Sequence, residues 1–157
     1  MPNTALDPAG LTALSPLDGR YASKADPLRE YLSESALIRY RTLVEVRWLQ
    51  HLAAEPAIDA LAPLDAAAND VLNGLVDHFD LEDARRIKAL EAETNHDVKA
   101  VEYFLREELS GVGDSTPGLL AFVHFACTSE DINNLAYALM LRDARTGLLL
   151  PEMQRLA

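Results

Sequence analysis

The amino-acid sequence predicts an all-α fold, and three observations carry that prediction. Apolar residues recur at i, i+3 and i+4 in successive segments. No segment alternates apolar and polar residues as a half-buried strand would, and several segments open on a capping residue or a proline. The chain has 157 residues, 49% hydrophobic and 25% charged, enough to bury a core of its own. No internal repeat or low-complexity tract interrupts it.

Taken in order, residues 1–10 mix Pro, Asn, Asp and Gly without periodicity and read as a flexible terminus. Ser15-Pro16-Leu17-Asp18-Gly19 is a turn signal. Pro16 fixes its backbone, and Asp18-Gly19 favours a positive φ that would aim Arg20 and Tyr21. A short helix from Asp26 leads to Ser33, the expected cap of a long helix ending near Ala54. In it Leu37, Tyr40, Val44, Trp48 and Leu52 form one stripe, with Trp48 in the core, while Arg39, Arg41, Glu45 and Arg47 fall largely elsewhere.

Pro63 at a helix N1 position opens the next helix, whose face carries Val71, Leu72, Leu75, Val76 and Phe79. Asp80 with Asp83 caps a helix bearing Ile87 and Leu90. Thr94 with Asp97 reads as the cap of another, along which Val98, Val101, Phe104, Leu105 and Leu109 recur. That placement puts His96 in the first helical turn, where free N–H groups favour an anion.

Ser110 to Gly118, with three glycines and a proline, is the clearest linker signal. The expected partition is therefore a helical domain over 11–110, a linker over 111–118 and a further helical unit over 119–157. Leu119, Leu120, Phe122, Val123 and Phe125 suggest a short apolar helix. Thr128 with Asp131 then repeats the capping logic ahead of Ile132, Leu135, Ala136, Leu139 and Met140, and Pro151 should kink or end that helix. Leu141, Leu148 and Leu149 put apolar surface on its other faces, so it needs several neighbours.

Charge and composition narrow the function. A formal charge of -11, from 14 basic and 25 acidic residues, excludes the cationic footprint that nucleic acids and anionic membranes require. A single cysteine, Cys127, precludes an internal disulfide, no Cys/His spacing suggests a metal, and no cofactor motif appears. With neither a secretory leader nor a membrane-span pattern, the expected location is cytoplasmic. His51, His78 and His124 read as surface or packing residues, and Cys127 as a buried small apolar group.

Three polar breaks remain: Arg20-Tyr21, Asn95-His96-Asp97 and Thr128-Ser129. An arginine, two helix starts and hydroxyl donors are equipment for holding a small molecule with several negative charges, phosphate or carboxylate. Each break alone is weak: a helix start reads first as ordinary capping, and Arg20-Tyr21 as a surface turn with a solvated arginine.

As ordered text, Ser-Pro-Leu-Asp-Gly-Arg-Tyr from Ser15, Val-Glu-Val-Arg-Trp-Leu from Val44, Thr-Asn-His-Asp-Val-Lys-Ala-Val-Glu-Tyr-Phe-Leu from Thr94 and His-Phe-Ala-Cys-Thr-Ser-Glu-Asp-Ile-Asn-Asn from His124 resemble the N-terminal part of the adenylosuccinate lyase family. The resemblance runs from about Leu11 to the last residue. It implies the fumarase and aspartase superfamily, a helical homotetramer, with residues 119–157 starting the central long-helix bundle. It also implies β-elimination of fumarate from adenylosuccinate to give AMP, and from the succinyl-carboxamide nucleotide SAICAR to give AICAR, in purine biosynthesis.

By match to the family motifs, Arg20 and Tyr21 would bind substrate towards its phosphate. Asn95, His96 and Asp97 would form a second wall, and Thr128 and Ser129 would donate to the succinyl part. His96 would act either as an acid or as a hydrogen-bond partner of the substrate. The family's later histidine motif and serine-bearing mobile loop are absent from these 157 residues, so the expectation is no lyase activity from them alone. The alternative is a non-catalytic helical interaction module that keeps the fold, suggested by the apolar helix after Ile132.

Overall fold

The computed structural model describes residues 11–113, 116 and 118–157, and among these every regular element is helical. The flexible terminus expected over 1–10 lies outside the described residues, as do Asp114, Ser115 and Pro117 of the expected linker. Six helices organise the rest: α1 (Glu34–Ala54), α2 (Ala66–Asp77), α3 (Leu81–Thr94), α4 (Asp97–Glu108), α5 (Ser129–Ala144) and α6 (Leu150–Leu156).

The longest helix, α1, is the central post, packing against α2, α3, α4 and α5. Ser33 caps it as expected, Oγ accepting from the Ala36 N–H at 3.2 Å. Contact with so many neighbours buries α1 on more than one face, which corrects the single-stripe reading. Arg41 and Glu45 are inside the protein, alongside Ile38, Val46 and Leu49. Trp48, expected in the core, is only half-buried, because its indole Nε1 reaches outward to donate to the Phe125 carbonyl at 2.8 Å.

The main core gathers Ile38, Val46 and Leu49 of α1, Leu72 of α2, Ile87 of α3 and Val101, Phe104 and Leu105 of α4. It continues through Leu109 to Leu119, Phe122 and Val123, beyond the glycine-rich segment. Within that segment Ser110–Gly113 forms a helical turn, and Thr116 is buried. Gly118 follows with φ 85, and a Cβ there would sit 2.6 Å from the Ala60 carbonyl oxygen, so both backbone angle and space require glycine.

Several helix boundaries differ from expectation, each for a local reason. Pro63 precedes α2 by three residues; the cap is Asp65, whose Oδ1 accepts from the Ala68 N–H at 2.7 Å. Gly19 does not adopt positive φ, since Asp18 and Gly19 both donate to the Ser15 carbonyl in a helix-like turn. The short apolar helix stops at Phe122, after which Val123 is extended and His124 and Ala126 are left-handed. Past Pro151 helical character resumes, as Met153 and Leu156 suggest from the sequence. Arg145–Leu149 widen to a π-helix just upstream, so the chain continues into α6 around the missing proline N–H.

Candidate functional site

Two helix starts meet, and the first of them is built differently from the sequence expectation. Thr94 is the last residue of α3, its Oγ1 donating back to the Leu90 carbonyl at 3.0 Å, so it does not cap α4. Asn95 takes the left-handed conformation, φ 51 and ψ 34, that closes α3. The cap of α4 is His96 itself. Its Nδ1 accepts from the Lys99 N–H at 3.2 Å, while Asp97 Oδ1 accepts from the Val98 N–H at 2.8 Å. With the Nδ1 lone pair engaged in the cap, Nε2 is the nitrogen left to face outward as a donor.

The second start is built as the sequence predicts. Asp131 Oδ2 accepts from the Thr128 N–H at 2.9 Å, and the Asp131 N–H donates to the Thr128 carbonyl at 3.1 Å. This geometry sets Ser129 at the mouth of α5, with Oγ 3.5 Å from His96 Nε2. Residues 33 positions apart in sequence are thus side by side. Both side chains stay accessible to a ligand, His96 exposed and Ser129 half-buried.

Arg41 joins the two starts from below. It is 4% exposed; Nη2 donates to Asp97 Oδ2 at 2.5 Å and Nε to Asn133 Oδ1 at 2.9 Å. The Asp97 carboxyl is held below its ordinary range. Partial burial works against ionisation, but the Val98 N–H and then the charge and hydrogen bond of Arg41 outweigh it. Further along α1, Glu45 Oε1 lies 2.5 Å from His124 Nδ1, fastening the loop that leads to Thr128. Burial pushes Glu45 above the usual glutamate range despite that partner, and its Oε2 is buried without one.

Arg20 and Tyr21 stand apart. The Arg20 guanidinium lies over the neighbouring Tyr21 ring, 4.8 Å from its centroid, and among the described residues no hydrogen bond or ion pair links either to the two helix starts. A polar cavity of about 480 Å³ opens beside the α4 start, lined by Lys88, Glu91, Ala92, Asn95, His96 and Asp97. A larger groove of about 750 Å³ between α1 and α5 is mostly apolar, with Leu43, Val44, Trp48, Leu135 and Leu139 in its walls. Cys127 borders this groove half-buried rather than buried, and burial, with Glu45 and Asp131 nearby, pushes its thiol up and away from nucleophilic use. No group of side chains among the described residues has the makings of a metal site.

Sequence reasoning missed Arg41, Glu45 and His124 as builders of this region. The available signal was spacing: Arg41, Glu45 and Trp48 stand at i, i+4 and i+7, one polar stripe on the same helix. Each of the three reaches a different point on or next to the two starts.

The helical architecture agrees with what comparison with known proteins finds. The model of a family described as "Lyase" matches residues 19–157, nearly the whole chain. The chain belongs to this lyase family. Among named relatives, adenylosuccinate lyase of Haemophilus influenzae is 54% identical over 146 residues, covering 93% of this chain and 32% of that protein. Adenylosuccinate lyase of Escherichia coli K12 is 51% identical over 148 residues, 94% of this chain and 32% of the relative. That of Legionella pneumophila strain Corby is 46% identical over 143 residues, 91% and 31% respectively. The chain spans about a third of the length of the curated relatives it matches. Its all-helical architecture is that of the fumarase and aspartase-like lyases, and the reading as a non-catalytic interaction module is not favoured. Among the described residues no helix is long and apolar enough to cross a membrane.

Proposed function

We propose that this lyase chain supplies part of the substrate site of an adenylosuccinate lyase, which eliminates fumarate from adenylosuccinate and from the succinyl-carboxamide nucleotide. The observation that carries the reading is the approach of the α4 and α5 starts, with His96 Nε2 and Ser129 Oγ 3.5 Å apart. Elimination develops negative charge on the carboxylate next to the carbon that loses its proton, and preorganised donors stabilise that charge most where water is excluded. Thr128 and Ser129 at a helix N-terminus suit that task. Asn95, His96 and Asp97 form the facing wall, and His96 contributes Nε2–H as a hydrogen-bond donor, since its Nδ1 is committed to the cap. Arg20 and Tyr21, exposed and unattached to the starts, are assigned to the substrate phosphate.

On this reading the protein works as a cytoplasmic homotetramer on a nucleotide, with no metal, nucleic acid or membrane, and the 157 residues alone do not turn over. In the full-length enzyme, Ser129→Ala should lower kcat by about 10²- to 10³-fold, the range for losing one oxyanion donor, when fumarate release from adenylosuccinate is followed. Full activity of that variant, or release of fumarate by the 157 residues on their own, would overturn the assignment.

A further inference from the structure

We propose that Arg41 is a positioning residue that fixes the separation of the two helix starts, and through it the placement of His96 against Ser129; the inference rests on the reading of these starts as substrate site. Arg41 touches neither of those two residues through its hydrogen bonds. It grips Asp97, next to His96, at 2.5 Å, and Asn133, one turn into α5 from Ser129, at 2.9 Å. A guanidinium is a rigid planar fork, so two of its nitrogens hold two acceptors at a set distance and angle, which a single ammonium on a flexible stem does not.

Burial gives the fork its precision and also argues that geometry is its purpose. At 4% exposure Arg41 has given up most of its hydration, and a buried ion pair is commonly no more stabilising than an apolar packing of the same volume. Val44 already packs with Val98 of α4 and Ile132 of α5. What such apolar contact lacks is direction, which the fork supplies by hydrogen-bonding Asp97 in the first turn of α4 and Asn133 one turn past Ser129 in α5. The same helix that carries Arg41 also holds the approach to Ser129 by Glu45 and Trp48, so α1 is the common reference for both walls. Neither wall has another long-range polar tie of this kind to the other apart from the His96–Ser129 contact, among the described residues. Displacement of a catalytic wall by about 1 Å is enough to cost on the order of 10²-fold in rate.

The test is a mutant cycle in the full-length enzyme. Arg41→Met should lower kcat by about 10- to 100-fold with KM changed less than about threefold, the signature of misplacement. In a His96→Ala background, where there is no imidazole to misplace, its further cost should shrink to under about threefold. Arg41→Lys should restore most of the thermal midpoint and little of kcat. Asn133→Ala, which cuts only the α5 arm and leaves the Asp97 pair intact, should reproduce the pattern at smaller amplitude even if Arg41→Met fails to fold. Equal fold losses with and without His96, or full kcat in Arg41→Lys, would overturn the clamp while leaving the site standing. Wild-type kcat and KM in both His96→Ala and Ser129→Ala would instead overturn the site reading, and the clamp with it.

Discussion

The two helix starts that face each other are held in place by different means. The α4 start follows α3 after only two residues: left-handed Asn95 turns the chain, and His96 and Asp97 satisfy the new N–H groups from within. The α5 start is reached through a loop with two left-handed non-glycine residues, His124 at φ 62 and Ala126 at φ 59. That loop is fastened from a distance by Glu45 and Trp48. One start is therefore positioned by chain continuity and the other by side chains of a helix about 80 residues earlier in sequence. Arg41 joins both through hydrogen bonds, and Val44, next on the same face, packs with Val98 of α4 and Ile132 of α5.

The largest way to break this comparison is Glu45→Ala. Removing the carboxyl cuts the hydrogen bond to half-buried His124 Nδ1 and leaves that nitrogen without its partner, a loss typically worth about 1–3 kcal/mol. Urea unfolding should show that loss. Amide exchange should quicken at Asp131 and Ile132 in the first turn of α5, with Lys99 in α4 little changed. Equal quickening at both starts would mean that they are one mechanical unit rather than two.

Acid and base titration separates them by sign. Glu45 sits above its ordinary range in the folded protein, so its titration contributes stability that is present below the unfolded value, about 4.3, and lost as pH rises through the folded value. Asp97 sits below its ordinary range, so it contributes stability present above about 3.9 and lost as pH falls towards the folded value. Wild type should therefore lose stability relative to Glu45→Gln as pH rises, and relative to Asp97→Asn as pH falls. Parallel pH curves for either pair would remove the corresponding electrostatic account.

These contrasts also explain how much of the site was legible in the sequence. Local chemistry was readable where one residue acts on its near neighbours: the Ser33 and Asp80 caps and the Thr128–Asp131 box appear where spacing puts them. It misled at Thr94, because a threonine three residues before an acid satisfies the capping pattern equally well when it closes the previous helix and a histidine takes the cap. For the long-range ties the spacing of Arg41, Glu45 and Trp48 places them on one face of α1, but their partners were not legible. A charged residue on a helix is by default a solvated one, and nothing local to Arg41 or Glu45 says that α4, α5 and the His124 loop will cover them.

A smaller effect tests the α5 cap alone. Asp131→Ala removes the acceptor of the Thr128 N–H from an exposed position and should cost about 1 kcal/mol, as cap losses do. Asp83→Ala at the equivalent position of α3 serves as the control, since Asp83 Oδ2 accepts from the Asp80 N–H at 3.0 Å. If Asp131→Ala costs several times more than Asp83→Ala by thermal unfolding, the α5 cap also bears load from the loop behind it.

The smallest effect probes backbone strain in that loop. An alanine in the left-handed region carries a cost of about 1–2 kcal/mol, and Ala126 at φ 59 is exposed, so no packing is lost with its methyl. Ala126→Gly relieves the strain but adds freedom to the unfolded chain, worth about 0.5–1 kcal/mol in the opposite direction. The expected net is a gain of about 0.5 kcal/mol, a small rise in the unfolding midpoint. Asn95→Gly, also left-handed, should gain less, because asparagine already tolerates that conformation and commonly closes helices in it. A larger gain at Asn95 than at Ala126 would place the strain at the continuous start instead, and the distinction between a chain-held wall and a side-chain-held wall would have to be reversed.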